Sequence, residues 1–338
     1  MPDGLQPVPE RLSAVPERIR VVPNAFLVYI SRGFLVPARE RSNPNLPRMA
    51  SARHSPHPYS QPGRPLAFAH RGGALMAPEN TLEAFTRARD LGVDAIELDI
   101  WPTADGEAVV FHDDALNRTT DGYGFINHQT LVQLKKLDAG FRFTADGGQT
   151  FPFRGLGIRI PTLEQVLGSL PRMRVNVEFK GTRGGFEKRV REIVRAHGAE
   201  DRVLACSGEG WINNRVRTRI PEVAHGASPR EVFEFWLAVR LGWSRGVSLP
   251  VHCLQIPPVH HGLRVVSREL VDAAHESGMA VHVWTIDDEC QMRSLLAMGV
   301  DGVMSDRPES LLRVMREHAG TKPPDRTQPG STPEHGMV

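Results

Sequence analysis

Short apolar runs alternate along the chain with longer segments of helical spacing. The runs are LAFAH, AIELDI, VNVEFK, VLACS, VAHGA, CLQIP, VHVWTI and GVMSD. Runs of this length are typical of buried strands, whereas apolar positions three or four residues apart are typical of the buried face of a helix. The helical segments are NTLEAFTRARDLG, TLEQVLGSL, FEKRVREIVRAHG, WINNRVRTRI, PREVFEFWLAVRLG, SRELVDAAHESG, DDECQMRSLLAMG and RPESLLRVMREHA. Eight strands interleaved with eight helices predict parallel βα units.

The residues around these segments indicate how the units are arranged. Thr162 and Ser267 stand where helices begin, and glycines stand where four helices end, which supports the division into units. The first strand is followed by RGGALMAP and not by the G-x-G-x-x-G of a nucleotide-binding doubly wound sheet. We therefore predict an α/β fold in which the strands close into a (β/α)8 TIM barrel.

The barrel pattern covers residues 65–318 and leaves a segment at each end. Residues 1–64 hold 11 of the 27 prolines and nine arginines against four acids, which predicts a flexible, basic extension. Residues 319–338 predict a disordered tail. Between the second and third barrel strands, residues from about 113 to 160 are too rich in loop residues for one crossover. We interpret them as a small insertion on the upper face, where the strands have their carboxyl ends.

Charge and cysteine content limit the kinds of partner and the cellular compartment that the sequence predicts. Lysine and arginine number 41 against 39 acids, a net charge of +2, so no global field favours nucleic acid or an anionic membrane. Three widely spaced cysteines predict reduced, buried thiols and a cytoplasmic protein. The run AFLVYISRGFLV is too short to span a bilayer and is broken by Arg32, so we predict no transmembrane segment. The pattern leaves the oligomeric state open.

Charged and polar side chains are concentrated at the ends of the predicted strands. The residues there are His70, Arg71, Glu97, Asp99, Glu178, Lys180, Ser207, Gln255, Trp284, Asp287 and Asp306. In a parallel barrel the carboxyl ends of all strands converge on one face. Unpaired buried charge is costly, so this concentration indicates a functional site and not a packing layer.

Three of these residues form a predicted metal site. Glu97 and Asp99 are two residues apart on one strand and share a face, and Glu178 ends the next barrel strand. Carboxylates that meet at one mouth repel one another unless a cation lies among them. An all-oxygen ligand set favours Mg²⁺ or Ca²⁺ over zinc. The alternative is that each acid only pairs with a neighbouring base; their joint position at strand ends favours the metal.

A second histidine is placed near the carboxylates by a predicted hairpin. Asp105-Gly106 is a two-residue turn signal. If these two residues form the loop, Ala104 pairs with Glu107, and His112 lies opposite Asp99 on the same face. His70 and His112 would then both stand at the mouth.

These groups together are suited to cleaving a phosphodiester. A metal polarises a nonbridging oxygen, Arg71 and Lys180 balance the remaining negative charge, and the two histidines exchange protons with the nucleophile and the leaving alkoxide. Which histidine is the acid and which the base stays open. Gly72 and Gly73 are expected to let the turn after His70 bend sharply and to leave room for substrate.

The same segments carry a family resemblance. AHRGG with APENT, AIELDIWPTADGEAVVFHDDALNRTTDG, VNVEFK, GLRVVSRELVDAAHESGMAVHVWTIDD and GVDGVMSDRP resemble the glycerophosphodiester phosphodiesterase family over residues 66–317. The resemblance implies a TIM barrel that hydrolyses a small deacylated phospholipid to glycerol 3-phosphate and an alcohol. It implies a divalent cation held by three acids, a catalytic histidine pair and two phosphate-binding bases, which are the residues named above.

Some positions around the predicted site keep more than one interpretation. Trp284 would stack beneath a choline head group, line the glycerol pocket, or close the barrel top as packing. Glu79 and Asn80 are expected to begin the first helix, with Asn80 as its cap, although Glu79 could hold Arg71 in place. Asp287 and Ser207-Gly208 depart from the residues usual in the family, and both are expected to affect the head-group side of the pocket.

Two other functions and one surface also stay open. The first alternative is a lysophospholipase D or a sphingomyelinase D-like enzyme of the same fold, and the second is a catalytically silent barrel that binds phosphodiesters. The aromatic helix EVFEFWLAVRLGW would either meet lipid as a peripheral hydrophobic lip or pack against the barrel or another subunit.

Overall fold

Eight parallel strands form a barrel in the computed structural model, which describes residues 57–60, 63–244 and 247–321. They are β1 (Leu66–Ala69), β2 (Ala95–Pro102), β4 (Arg174–Phe179), β5 (Val203–Cys206), β6 (Ala224–His225), β7 (Cys253–Ile256), β10 (Ala280–Val283) and β11 (Gly302–Ser305). Three further strands are β3 (Ala108–Val110), which pairs with β2, and the two-stranded β8 (Val259–His260) and β9 (Leu263–Arg264). The neighbour order is β6-β5-β4-β2-β1-β11-β10-β7, and a parallel bridge between Gly226 and Cys253 joins its ends. The predicted TIM barrel is confirmed.

Helices alternate with the strands as the apolar spacing predicts. They are α1 (Leu82–Leu91), α2 (Leu131–Leu134), α3 (Leu163–Ser169), α4 (Phe186–Ala196), α5 (Gly210–Arg219), α6 (Pro229–Arg240), α7 (Arg268–Glu276), α8 (Glu289–Met298) and α9 (Pro308–Thr321). The side chains of Thr162 and Ser267 accept backbone hydrogen bonds at the starts of α3 and α7. Each predicted helix is present. The additional helix α2 is a single turn, which is too short to show a helical spacing of apolar residues in the sequence.

Two apolar layers hold the barrel together. Inside it, side chains such as Leu66, Phe68 and Met304 pack against one another. Between the strands and the helices, the alternate residues of the same strands, such as Ile96 and Val303, pack against helical side chains. Because successive residues of a strand point to opposite faces, strands buried on both sides are largely apolar, although a few polar side chains such as Asn176 and His282 are buried within them.

The amino-terminal part of the described chain also packs into this core. Tyr59 lies in the 3-10 turn Pro58–Ser60 and is fully buried in the inner layer. The folded part therefore includes part of the segment 1–64 that composition predicts to be flexible. The Tyr59 ring packs into the barrel interior, although the proline-rich segment around it shows no apolar spacing typical of a helix or strand. The run AFLVYI and the tail from residue 322 lie outside the described residues.

The hairpin between β2 and β3 differs by one residue from its predicted register. Trp101 pairs with Val109, and the loop closes between Thr103 and Glu107, so three residues turn the chain. The insertion causes this difference, because the N–H of Ala104 donates to the carbonyl of Gln129. Phe111, and not His112, lies opposite Asp99 and donates its N–H to the Asp99 carbonyl. The predicted pairing was therefore wrong.

The insertion has a small core of its own, which includes Val109, Leu116 and Ile126. Two of the cysteines, Cys206 and Cys253, are buried free thiols as predicted, but Cys290 is exposed on α8. Among the described residues, no helix has the length and apolar character needed to cross a membrane.

Candidate active site

The turn after β1 places the first two site residues. Arg71 has a left-handed backbone with φ 51°, and Gly72 follows with φ 86°. A Cβ at Gly72 would lie 2.7 Å from the Cβ of Ala84. The glycine is therefore required by the close approach of α1, and the expectation that it leaves room for substrate was wrong. The sharp turn brings the N–H of Arg71 3.0 Å from Glu97 Oε2, to which it donates.

Three carboxylates meet beside this turn. One oxygen from each of Glu97, Asp99 and Glu178 lies within 4.8 Å of the others. Glu97 and Asp99 are buried in the middle of β2, which continues beyond them into the hairpin with β3, and Asp99 pairs in register with Glu178 of β4. The sequence placed these residues together correctly, because strand pairing and the two-residue spacing determine the arrangement.

Two bases contact this cluster. Lys180 Nζ lies 3.1 Å from Asp99 Oδ1 and 2.9 Å from Glu178 Oε1. Arg71 Nε is buried, has no hydrogen-bond partner among the described residues, and lies 3.5 Å from Asp99 Oδ2. Both cations therefore stand at the edge of the carboxylates, where an anionic ligand would also meet them.

The electrostatics of the cluster indicate an excess of negative charge. Burial and then the neighbouring charge of Asp99 raise the pKa of Glu97 to about 8. Burial lowers the pKa of Lys180, but Asp99 and Glu178 outweigh it, so that pKa stands above its usual value. A divalent cation among the three carboxylates would relieve their repulsion, and oxygen donors suit Mg²⁺ or Ca²⁺. The residues present fit such an ion.

His70 is held between two acids. Its Nδ1 lies 2.7 Å from Asp306 Oδ1, and its Nε2 lies 3.8 Å from Glu97 Oε2. Burial lowers the pKa of His70, but the hydrogen bond with Asp306 and the charge of Glu97 outweigh it, so the pKa of His70 is raised. Asp287 supports this arrangement by accepting hydrogen bonds from Ser305 Oγ and the Asp306 N–H. Asp287 thus holds the partner of His70, and the expected head-group role is not what its contacts indicate.

His112 does not contact the carboxylates directly. Its Nδ1 lies 2.6 Å from Asp113 Oδ1, and its carbonyl accepts a hydrogen bond from the Trp101 indole. Arg118 then joins Asp113 to Glu79, because its guanidinium donates to both carboxylates of these residues. Glu79 in turn accepts from Arg71 Nη1 at 3.0 Å. His112 is therefore connected to Arg71 through a chain of ion pairs.

Several residues of the site were not assigned from the sequence. Asn80 does not cap α1, whose cap is Thr81. It is buried, and its amide donates to Asp99 Oδ2 at 2.8 Å. In the sequence, Asp306 was recognised only as an acid at a strand end, and Arg118 only as part of the segment HDDALNRTTDG. Their partners become apparent only in three dimensions.

Other predicted positions follow the strands β10 and β5 or lie on α6. Trp284 follows β10 and is 41% exposed, with its backbone N–H donating to the Ile256 carbonyl. Ser207 Oγ donates to the Phe179 carbonyl and accepts from the Glu209 N–H. In the aromatic helix, Phe235 is fully buried whereas Leu237 is exposed. Packing therefore explains part of the aromatic character of α6.

Comparison with known proteins gives the family of the chain. A model of the Glycerophosphoryl diester phosphodiesterase family matches residues 70–310. A glycerophosphodiester phosphodiesterase from Caldanaerobacter subterraneus subsp. tengcongensis is 32% identical over 268 residues, which are 75% of this chain and 98% of that protein. A probable glycerophosphodiester phosphodiesterase from Mycobacterium tuberculosis is 33% identical over 75% of this chain and 91% of its own length.

A solved structure supports the same conclusion. A phosphodiesterase from Oleispira antarctica, in complex with the product sn-glycerol-3-phosphate, is similar with a TM-score of 0.62 and 29% identity. The similarity covers 76% of this chain and 99% of that one. Barrel, carboxylate cluster and sequence similarity agree: the chain belongs to the glycerophosphoryl diester phosphodiesterase family of phosphoric diester hydrolases.

Proposed function

We propose that the protein hydrolyses glycerophosphodiesters, the deacylated forms of phospholipids, to glycerol 3-phosphate and an alcohol. The carboxylate cluster, with Arg71 and Lys180 against it, is the observation that carries the proposal. A buried group of three acids flanked by two bases is suited to an anionic ligand only when a cation lies among the acids. The named activities of the similar proteins support the same substrate class.

The proposed mechanism uses residues that surround this cluster. Glu97, Asp99 and Glu178 would hold a divalent cation, Mg²⁺ or Ca²⁺, which would supply positive charge to the phosphate. Arg71 and Lys180 bind the phosphate oxygens and orient the diester. One of His70 and His112 accepts the proton of the nucleophile, and the other gives a proton to the leaving alkoxide. Asp306 and Asp113 hold the two imidazoles by their Nδ1 atoms.

Product analysis tests this proposal. Phosphorus NMR of the protein with glycerophosphocholine is expected to show glycerol 3-phosphate accumulating as the diester signal falls. Lysophosphatidylcholine in a parallel sample separates the two substrate classes. Turnover of the lysolipid alone would contradict the proposed substrate.

One observation favours the lysolipid as a second candidate substrate. Large apolar side chains are exposed on loops that follow strand ends, among them Leu75, Phe125 and Trp284. Loops at these ends lie on the same face as the site, so an acyl chain leaving the site would meet apolar surface. A cyclic phosphate in the NMR spectrum would indicate attack by a substrate hydroxyl, as in the sphingomyelinase D-like alternative.

A further inference from the structure

A pocket of about 330 Å³ lies beside the candidate active site. It is lined by Trp101 and Pro102 of β2, by Asn127 and His128 of the insertion, and by 181–183 after β4. Its volume is at the lower end of the range for small-molecule sites, about 300 to 1,000 Å³. None of the residues assigned above to the metal, the proton transfers or the phosphate lines this pocket.

The walls of the pocket continue directly from the site. Trp101 lies two residues beyond Asp99 on the same face of β2, about 7 Å along the strand. Its indole donates to the carbonyl of His112 at 3.0 Å. On the opposite wall, Gly181 follows Lys180, whose N–H extends the pairing of β4 with β2 by donating to the Ile100 carbonyl. A ligand whose phosphate lies at Lys180 would therefore extend into this pocket.

The close approach of the two walls is set by a glycine. A Cβ at Gly181 would lie 2.7 Å from the Trp101 ring. The ring packs on the insertion core on its other side. Because Trp101 is held between Gly181 and the insertion, the position of this wall of the pocket is fixed.

The charge of the lining is one-sided. Within the described part of the chain, no carboxylate lines the pocket, whereas Arg183 and His128 do. The Arg183 guanidinium is exposed, donates to the Asn127 carbonyl at 3.4 Å, and forms no ion pair with a residue in the described part of the chain. The nearest acid along the chain, Glu187, is already paired with Arg215 and accepts from Thr182 Oγ1. An arginine with unused donors in a pocket without acids favours an anionic ligand.

We propose that this pocket binds the alcohol part of the substrate, and that Arg183 selects phosphodiesters whose alcohol carries a second anionic group, such as a terminal phosphate. The inference rests on the function proposed above, since it concerns the same reaction. The glycerol phosphate end is common to all substrates of the class, and only the alcohol part differs between them. A pocket that binds the alcohol would therefore determine which substrate the protein prefers.

Two substrates that differ only in the second anion test the proposal. They are glycerophosphoglycerol and glycerophosphoglycerol bearing a terminal phosphate, and the readout is the ratio of their kcat/KM values. The wild type is expected to prefer the phosphorylated substrate. Arg183→Gln is expected to lower the ratio about tenfold, because it removes one hydrogen bond to a charged group of the substrate. Arg183→Glu is expected to lower it further, because the charge is reversed.

A matched control comes from the opposite end of the barrel. Arg172 is also exposed and lies two residues before the first residue of β4, so Arg172→Gln is expected to leave the ratio unchanged. Circular dichroism melting confirms that the Arg183 variants fold. An unchanged ratio in both folded Arg183 variants would overturn the subsite while leaving the proposed function in place. Absence of turnover of either substrate by the wild type would overturn both.

Discussion

At the scale of single residues, the two candidate catalytic histidines differ in their surroundings. His70 is largely buried between Asp306 and Glu97, whereas His112 is partly exposed and contacts Asp113. In each case a carboxylate contacts Nδ1, which leaves Nε2 as the ring nitrogen for proton exchange. This common pattern orients both rings for proton transfer and supports a role for each.

Replacing either histidine tests these roles. His70→Asn and His112→Asn are each expected to lower kcat by at least about a hundredfold, because general acid–base catalysis contributes that much or more. Steady-state kinetics with glycerophosphocholine provides the measurement. His197→Asn is the matched control, since His197 lies at the end of α4, before β5 on the opposite face of the barrel. Unchanged turnover in either site variant would exclude that histidine from the chemistry.

What the sequence could predict at this scale depends on what each residue contacts. Glu97, Asp99 and Glu178 follow from strand spacing, because period two and parallel pairing determine which side chains share a face. Asn80 was expected to be a helix cap because its neighbours begin α1. Instead it turns inward to Asp99, a contact between distant segments that no local pattern encodes.

At the scale of elements, the insertion acts together with the β1–α1 turn. Arg118, in the 3-10 turn Leu116–Arg118 of the insertion, donates to Asp113 and to Glu79. The hydrogen bonds with Glu79 and Asp113 raise the pKa of Arg118, although partial burial opposes the shift, so this guanidinium stays charged. One side chain thereby links the loop that carries His112 to the loop that carries Arg71.

Arg118 is therefore expected to be a positioning residue. Arg118→Gln is expected to reduce kcat by about tenfold to a hundredfold, because small displacements of reacting groups have effects of that size. Arg118→Lys keeps the charge but not the forked geometry, so it is expected to recover part of the activity. Arg87→Gln is the control, since Arg87 pairs with Glu83 on the exposed face of α1. Equal losses of activity in the Gln and Lys variants, in step with their melting temperatures, would indicate a structural role only.

The hairpin shows why element boundaries were less predictable than the elements. The Asp105-Gly106 signal located the turn correctly. However, two hydrogen bonds join this turn to the insertion: the N–H of Ala104 donates to the Gln129 carbonyl, and the N–H of Leu131 donates to the Asp105 carboxylate. Those tertiary hydrogen bonds favour a three-residue loop. A slip of one residue changes which side chains lie opposite one another, and the predicted position of His112 depended on that count.

At the scale of the whole molecule, the barrel interior holds a buried histidine away from the site. His282 lies on β10 with its ring 4.8 Å from that of Phe68 and its Nδ1 3.2 Å from Cys253 Sγ. Burial lowers the pKa of His282 to about 4, although Asp301 opposes the shift. The neutral ring thus belongs to the packed inner layer.

This residue predicts an acid dependence of stability. Below the ordinary histidine pKa of about 6.5 the unfolded chain binds a proton that native His282 does not, so the free energy of unfolding falls as the pH falls towards 4, by about 3 kcal/mol in all. Urea unfolding at several pH values provides the measurement. His282→Gln is expected to be less stable at neutral pH but to show a flatter dependence between pH 6.5 and 4.

His275 offers a contrast of opposite sign. The hydrogen bond with Asp301 raises the pKa of His275, so its contribution is present below pH 6.5 and is lost as the pH rises through the native value. His275→Asn is expected to be destabilised more in acid than in base.

An unchanged pH slope of the free energy of unfolding in His282→Gln would contradict the assignment of the acid dependence to the barrel interior.

The proposed activity depends on a cation held by Glu97, Asp99 and Glu178. The most direct measurement is the rate of glycerol 3-phosphate formation from glycerophosphocholine after exhaustive chelation, followed by titration with Mg²⁺, Ca²⁺ and Mn²⁺. We predict that chelation abolishes the rate, that at least one cation restores it, and that Glu178→Gln raises the cation concentration needed for half-activation. Full activity in the chelated protein would contradict the account.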